Sequence, residues 1–351
     1  VGTGSFLPSR IIENDYFSNY TFFDPSNRQP LEKSNDEIIQ KFKEITNISE
    51  RRWITDDLQN SDMAALAVQD ACQSSGTDPE TLEFIVVAHN FGDVKPGSTQ
   101  VDILPSLANK VKAKLNIKNP ACICHDIVSG CPGWTQGMIT ADAYIRSGLY
   151  RRGVVVGSDV LSRISDPHDR DSMIYADGAG ATIVEAVESD VPTGILSHAS
   201  RSDSVNYWNL LYSAESLNPE LKGDMQFIRM LGHKLYVYAI SHVPSVVKES
   251  IEKAGLQLGD IKKVLIHQAN EKMDEVILKN VFKLYNEKNI PEGIMPMSIE
   301  KLGNSSTATV PTLLDTIMKG RMEGQSINSG DYIILASVGA GMNINSIIYK
   351  V

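Results

Sequence analysis

Asp126-Ile-Val-Ser-Gly-Cys131-Pro-Gly-Trp134 joins an apolar extended run to a helical pattern with almost nothing between them. Ile127 and Val128 continue the run, Gly130 permits a tight turn, and Pro132 suits a first helical position, where its missing N–H costs nothing. Trp134, Met138, Ala141 and Ile145 then recur at helical spacing, which predicts a helix opening at Cys131. A helix N-terminus favours thiolate over thiol and offers free N–H groups to a nearby oxyanion. A free cysteine is more often a small buried hydrophobe, and its position at the turn brings the two readings of Cys131 level.

Outward from this turn, runs rich in Val, Ile and Ala predict strands at Phe84 to His89, Val154 to Gly157, Ala181 to Ala186, Lys263 to His267, Tyr332 to Val338 and Ile344 to Val351. Helical patterns cover Ser61 to Ser75, Val101 to Leu115, and Lys234 to Ala254, the last closed by Gly255. Near-continuous apolar strands alternating with helices give an α/β protein whose sheets are covered on their faces. The chain also echoes itself. A helix ending at Gly76 leads through an Asp-containing linker into Phe84-Ile-Val-Val-Ala-His-Asn90; another, ending at Gly255, leads likewise into Lys263-Val-Leu-Ile-His-Gln-Ala-Asn270. Such spacing favours a duplicated architecture. The stretches before Lys33 and from His198 to Gly223 have weak periodicity and read as long ordered loops.

A chain of 351 residues supports a large core in two similar halves or one double-sized domain. Its net charge of -10 argues against nucleic acid as the main partner. No apolar run approaches the roughly 18 residues that span a bilayer, and no signal peptide is evident, so membrane insertion is not expected. The cysteines at 72, 122, 124 and 131 form no CxxC pair, which fits a reducing cytoplasm. Cys122 and Cys124 alternate on one face of a strand without nearby His or Cys ligands, and no metal is expected there.

Among histidines 89, 125, 168, 198, 233, 242 and 267, His267 is the best placed to serve the thiol. It ends Val264-Leu-Ile-His267, where open α/β folds collect catalytic groups, although a hydrogen-bonded structural histidine fits that position too. His125 is closer in sequence but sits within a strand. Asn304, in Lys301-Leu-Gly-Asn-Ser-Ser306, precedes a helix and reads equally as a cap. Ser337-Val-Gly-Ala-Gly341 permits close backbone approach but lacks a phosphate-cradling pattern. Asp177-Gly-Ala-Gly180 reads as a strand-entry turn.

Together with Gly2-Thr-Gly-Ser-Phe-Leu-Pro, Ile48-Ser-Glu-Arg-Arg52, Gly157-Ser-Asp-Val-Leu161, Asp166-Pro-His-Asp-Arg170, Asp177-Gly-Ala-Gly-Ala181, His267-Gln-Ala-Asn270 and Gly303-Asn-Ser-Ser306, these segments resemble the ketoacyl synthase III branch of the thiolase superfamily. The resemblance runs through nearly the whole chain. It implies a duplicated, five-layered αβαβα fold with two mixed sheets, a homodimer, and halves 1-190 carrying the nucleophile and 191-351 carrying the His and Asn. It matches the catalytic Cys, His and Asn to Cys131, His267 and Asn304. It implies that Cys131 takes an acyl group from acyl-CoA, and that His267 and Asn304 then stabilise the enolate formed as a malonyl-acyl carrier protein loses carbon dioxide. The backbone N–H groups of Cys131 and Ala340 would hold the tetrahedral oxyanion. CoA enters as substrate, and no resident cofactor is implied.

The same resemblance assigns Arg170 to the CoA adenine, with a salt bridge to Asp166 or Asp169 as the alternative, and makes Asn270 a support for the histidine. Lys272, Lys279 and Lys283 resemble the surface that receives acyl carrier protein, and a solvated face with Glu275 to Lys279 pairing explains them as well. Two departures stand out. The family's adenine-stacking tryptophan falls near Ile38, and a position that crosses the dimer and limits acyl length falls near Leu104, in a lengthened loop from Asn90 to Pro105; altered acyl selectivity is expected. A polyketide, resorcinol or polyene condensing enzyme, a non-catalytic partner of the same fold, and a cysteine hydrolase are the alternatives, the last disfavoured by the absence of a carboxylate orienter for the His.

Overall fold

The computed structural model describes residues Val1–Val351 and is built on two mixed β-sheets. Strands β1 (Gly2–Phe6), β2 (Phe84–Ala88), β3 (Ile123–Ile127), β4 (Arg152–Val160) and β5 (Asp177–Glu185) form the first, in the order β1-β5-β4-β2-β3. Strands β6 (Gly194–Ser202), β7 (Ile261–Ile266), β8 (Tyr332–Gly339) and β9 (Asn343–Lys350) form the second, in the order β6-β9-β8-β7. In each sheet two antiparallel pairings are followed by a parallel one, β4 with β2 and β8 with β7. The second sheet therefore repeats four strands of the first, and β3, parallel to β2, is the addition.

The period-2 alternation of each strand sends its side chains to two different cores. From β2, Ile85 and Val87 face helices α2 (Asn60–Ser75) and α3 (Leu107–Lys114), whereas Phe84 and Val86 face the middle of the molecule. From β8, Ile334 and Ala336 face α5 (Gly232–Lys253) and α6 (Glu271–Leu284), whereas Ile333 and Leu335 turn inward. The middle is filled by Trp134 and Met138 of α4 (Gly133–Arg146) and Val310 and Leu313 of α7 (Thr309–Met318). Helices, sheet, helices, sheet, helices is the five-layered αβαβα arrangement. A further long helix, α1 (Asn35–Thr46), starts from a Ser34–Glu37 capping box and packs Ile38 into a separate small cluster.

Several expectations need correction. The pattern over Val101–Leu115 yields a helix only from Leu107, capped by the Ser106 hydroxyl, because a residue before proline, here Leu104 before Pro105, is steered away from helical backbone. Val101–Asp102 instead pairs with Asp93–Val94 as a two-stranded ribbon. The helix after Cys131 opens at Gly133 rather than at Cys131, because Gly133 N–H donates to Gly130 O at 2.9 Å and closes a turn first. Asp177-Gly-Ala-Gly180 lies inside β5, not in a turn; a Cβ at Gly180 would sit 2.8 Å from Pro311 Cβ, so α7 packs onto bare backbone. The stretches read as loops contain β1 and much of β6. Strand β1 hides its pattern because α2 presses on it: a Cβ at Gly4 would be 2.2 Å from Ala71 N.

Candidate active site

The parallel strands β2, β3, β7 and β8 end on the same side of the molecule as the Cys131 turn, and the segments leaving those strand ends build most of the site. Cys131 lies between β3 and α4, with Gly130 at φ +66°. Across from it stands the turn between β8 and β9. A Cβ at Gly339 would lie 2.6 Å from Cys131 N, and one at Gly130 would lie 2.6 Å from Ala340 N. Glycine at both positions is what lets these two turns touch, bringing the Cys131 and Ala340 amides to one place.

His267 follows β7, and its N–H donates to Ala336 O at 2.9 Å. Its neighbour Gln268 locks the segment, accepting from Ser298 N–H at 2.8 Å and donating to Pro296 O at 2.9 Å. Asn304 is fixed through its main chain, with N–H to Ile174 O at 3.0 Å and O from Ala176 N–H at 2.9 Å. Its Oδ1 accepts from Ser306 N–H at 2.9 Å, which orients the amide and leaves Nδ2 without a partner in the protein. Cys131, His267, Asn304 and Ala340 all line one cavity of about 210 Å³. Thirteen of its 19 lining residues are apolar, among them Phe91, Leu161, Ile228 and Met230, so the space suits an apolar chain ending at the thiol.

Burial sets the charge state here. The Cys131 thiol is pushed up to about 12, against a hydrogen bond from the Ser306 hydroxyl that favours the thiolate, and with the Asp159 carboxylate adding to the rise. The expectation that the turn by itself favours thiolate is therefore corrected: desolvation wins over donors at the turn. Burial likewise lowers His267 to about 4, with the Ser306 main chain opposing only in part. Thiol and imidazole are both uncharged near neutral pH. The His267 Nδ1 has no partner and in particular no carboxylate. The site thus offers uncharged donors beside a sulfur, at the mouth of an apolar space.

The other assigned residues fare differently. Arg170 is half-exposed, 3.9 Å from Asp171; Asp166 and Asp169, its proposed partners, are taken by Arg229 at 3.0 and 3.2 Å. Asn270 caps α6, its Oδ1 accepting from Met273 N–H at 3.1 Å, and makes no hydrogen bond to His267. Ile38 is a core residue packed with Phe17, Phe22 and Met173. Leu104 is 88% exposed and lies outside the cavity. Lys272, Lys279 and Lys283 are exposed on α6, and Lys279 reaches Glu275 at 3.6 Å. His125 stays within β3, its ring against Tyr144. No three His, Cys, Asp or Glu side chains converge as metal ligands would, and no helix is long and apolar enough to cross a membrane. Residues that pattern reading passed over include Asn90 and the hairpin Leu211–Ala214 with Phe227–Met230, which walls the cavity.

Residues 125–204 match the model of 3-oxoacyl-[acyl-carrier-protein] synthase III, and residues 251–351 match its C-terminal model. Among solved structures, 3-oxoacyl-[acyl-carrier-protein] synthase III from Aquifex aeolicus is 27% identical, covering 100% of this chain and 99% of that one with a TM-score of 0.79. The β-ketoacyl-[acyl carrier protein] synthase III from Thermus thermophilus is also 27% identical, with 100% and 98% covered and a TM-score of 0.79. The priming β-ketosynthase of the R1128 polyketide pathway, at 23% identity, 100% and 95% coverage and a TM-score of 0.81, shares the fold.

Proposed function

Because the chain belongs to the 3-oxoacyl-[acyl-carrier-protein] synthase III family, acyltransferases of the condensing type, we propose that it joins an acyl group from acyl-CoA to a malonyl unit on acyl carrier protein. Cys131 Sγ attacks the acyl-CoA carbonyl, and the oxyanion is held by the N–H groups of Cys131 and Ala340. CoA leaves as its thiol, and the acyl group stays on Cys131 as a thioester. The malonyl thioester carbonyl then accepts hydrogen bonds from His267 and from Asn304 Nδ2, carbon dioxide leaves, and the resulting carbanion attacks the Cys131 thioester. The product is a 3-oxoacyl thioester, and the Cys131 sulfur is released for another turn. Side-chain and main-chain donors suffice for both steps, so no metal or redox cofactor is part of this reading.

The observation that carries it is the convergence of Cys131, His267 and Asn304 on one apolar cavity, with His267 uncharged and lacking the carboxylate that a proton-abstracting triad uses. In this reading the enzyme works as a cytoplasmic homodimer, Leu104 lies at the dimer contact, Arg170 meets CoA, and Lys272, Lys279 and Lys283 receive the carrier protein. The product enters fatty acid synthesis. A second reading keeps the chemistry and assigns a polyketide, resorcinol or polyene pathway, because Ile38 is buried where a relative would stack the adenine, so CoA is held in another way. Incubation with acyl-CoA and malonyl-acyl carrier protein tests the reaction. Carbon dioxide release matched by a 3-oxoacyl thioester supports it, and release of free acid alone contradicts it.

A further inference from the structure

The hydroxyl of Ser306 is the only side-chain group that hydrogen-bonds the Cys131 sulfur, at 3.3 Å. Its proton has nowhere else to go. Asn90 Nδ2 has two hydrogens, and both are committed: one to Asp159 Oδ2 at 2.8 Å, the other to Ser306 Oγ at 2.9 Å. Asp159, fully buried, also accepts from Asn90 N–H at 2.8 Å and from Thr307 Oγ1 at 2.8 Å, which fixes the asparagine. Ser306 Oγ therefore receives from Asn90 and donates to sulfur.

The backbone supports this assignment. Ser306 sits at φ +52°, a left-handed conformation that costs a residue with a side chain about 1–2 kcal/mol. Glycine would adopt it freely, yet the position keeps a hydroxyl, held in place by its N–H on Asn304 Oδ1. We propose that Ser306 is a hydrogen-bond donor to the Cys131 thiolate, both when the sulfur attacks and when it departs, and that Asn90 is the positioning residue that aims its proton.

This inference rests on Cys131 being the acylated nucleophile. The titratable groups facing the sulfur are His267, Tyr175 and Tyr212 in the cavity wall and Asp159 behind the network, with His89 beyond it. His267 is held uncharged by burial, and Asp159 raises rather than lowers the cost of charge on the sulfur. The hydroxyl is left as the side chain that can lower the cost of the thiolate.

Iodoacetamide alkylation between pH 7 and 9.5, read as mass gain on the Cys131 peptide, reports the thiolate fraction. Native protein is compared with Ser306→Ala, Ser306→Gly and Asn90→Ala; the glycine variant removes the hydroxyl without backbone strain. Both Ser306 variants should alkylate about tenfold more slowly at each pH, as expected for losing a hydrogen bond to a charged group, with Asn90→Ala between them and native. Extra space at the sulfur would act the other way, so equal or faster alkylation in both Ser306 variants overturns the inference. Acyl-CoA labelling of the native protein runs in parallel. Absence of acyl-Cys131 defeats the proposed reaction, whereas acylation with an unchanged alkylation profile defeats only the role of Ser306.

Discussion

His89 and His267 occupy the same place in two copies of one design. Each comes directly after a buried strand, β2 or β7, that is preceded by a long helix and a short linker, and each strand lies parallel to its neighbour in an equivalent sheet. Both are buried, but their partners differ. His89 is 1% exposed with both ring nitrogens engaged, Nε2 on Asp126 Oδ2 at 3.0 Å and Nδ1 on Gly92 N–H at 2.9 Å. Asp126 in turn accepts from Leu107 N–H and Ala108 N–H, so Asp126 ties β3 to α3 and His89 holds that carboxylate from the end of β2. His267 has an idle Nδ1 and a cavity in front of it. One histidine is saturated with partners and the other is kept short of them, the difference that the proposed reaction requires between a residue that holds the fold and one that donates to a substrate.

The contrast can be broken from either side. The largest effect belongs to His267→Ala, which should slow condensation by about a hundredfold to a thousandfold, the range for losing one oxyanion donor, while stability stays within about 1 kcal/mol because no hydrogen-bonded side-chain partner is stranded. His89→Ala should do the reverse: denaturant unfolding should show a loss of about 1–3 kcal/mol, since Asp126 and Gly92 N–H are left with an unmet bond. Equal unfolding curves for the two variants would erase the distinction.

Acid sharpens it further. His267 has a folded value of about 4 against an ordinary 6.5, so the unfolded chain binds more protons between those values. Its contribution to stability is complete above pH 6.5 and is lost as pH falls toward 4. Urea unfolding across that window should show a shallower acid decline in His267→Gln than in native protein, and parallel declines would contradict the assigned burial. The smallest effect is expected at Leu104. Leu104→Ala should leave the unfolding midpoint unchanged, because the side chain is 88% exposed in the single chain, yet shift the preferred acyl-CoA length if Leu104 lies at the dimer contact. Initial rates over a series of acyl-CoAs measure this.

The same pair of histidines marks what the sequence discloses. Strand β2, helix α2 and their echoes β7 and α5 are legible because apolar period and terminal glycines act locally. Cys131, His267 and Asn304 are legible as motifs, but only folding places them on one cavity. The left-over partners were hidden for a physical reason. Asn90, Ser306 and Asp159 come from three separate turns and strands, and their hydrogen bonds span up to 216 positions, which no window of sequence contains. Strand β1 was hidden by its glycines, which serve α2 rather than the strand pattern. Charge state was hidden too, since burial of Cys131 outweighs the donors that its turn supplies.

Intact-mass analysis after exposure to acyl-CoA, followed by peptide mapping, tests the central claim most directly. The account predicts one acyl group per chain, located on Cys131, with an equal amount of CoA released and no adduct in Cys131→Ser. An acyl group on any other residue, or its persistence in Cys131→Ser, would contradict it.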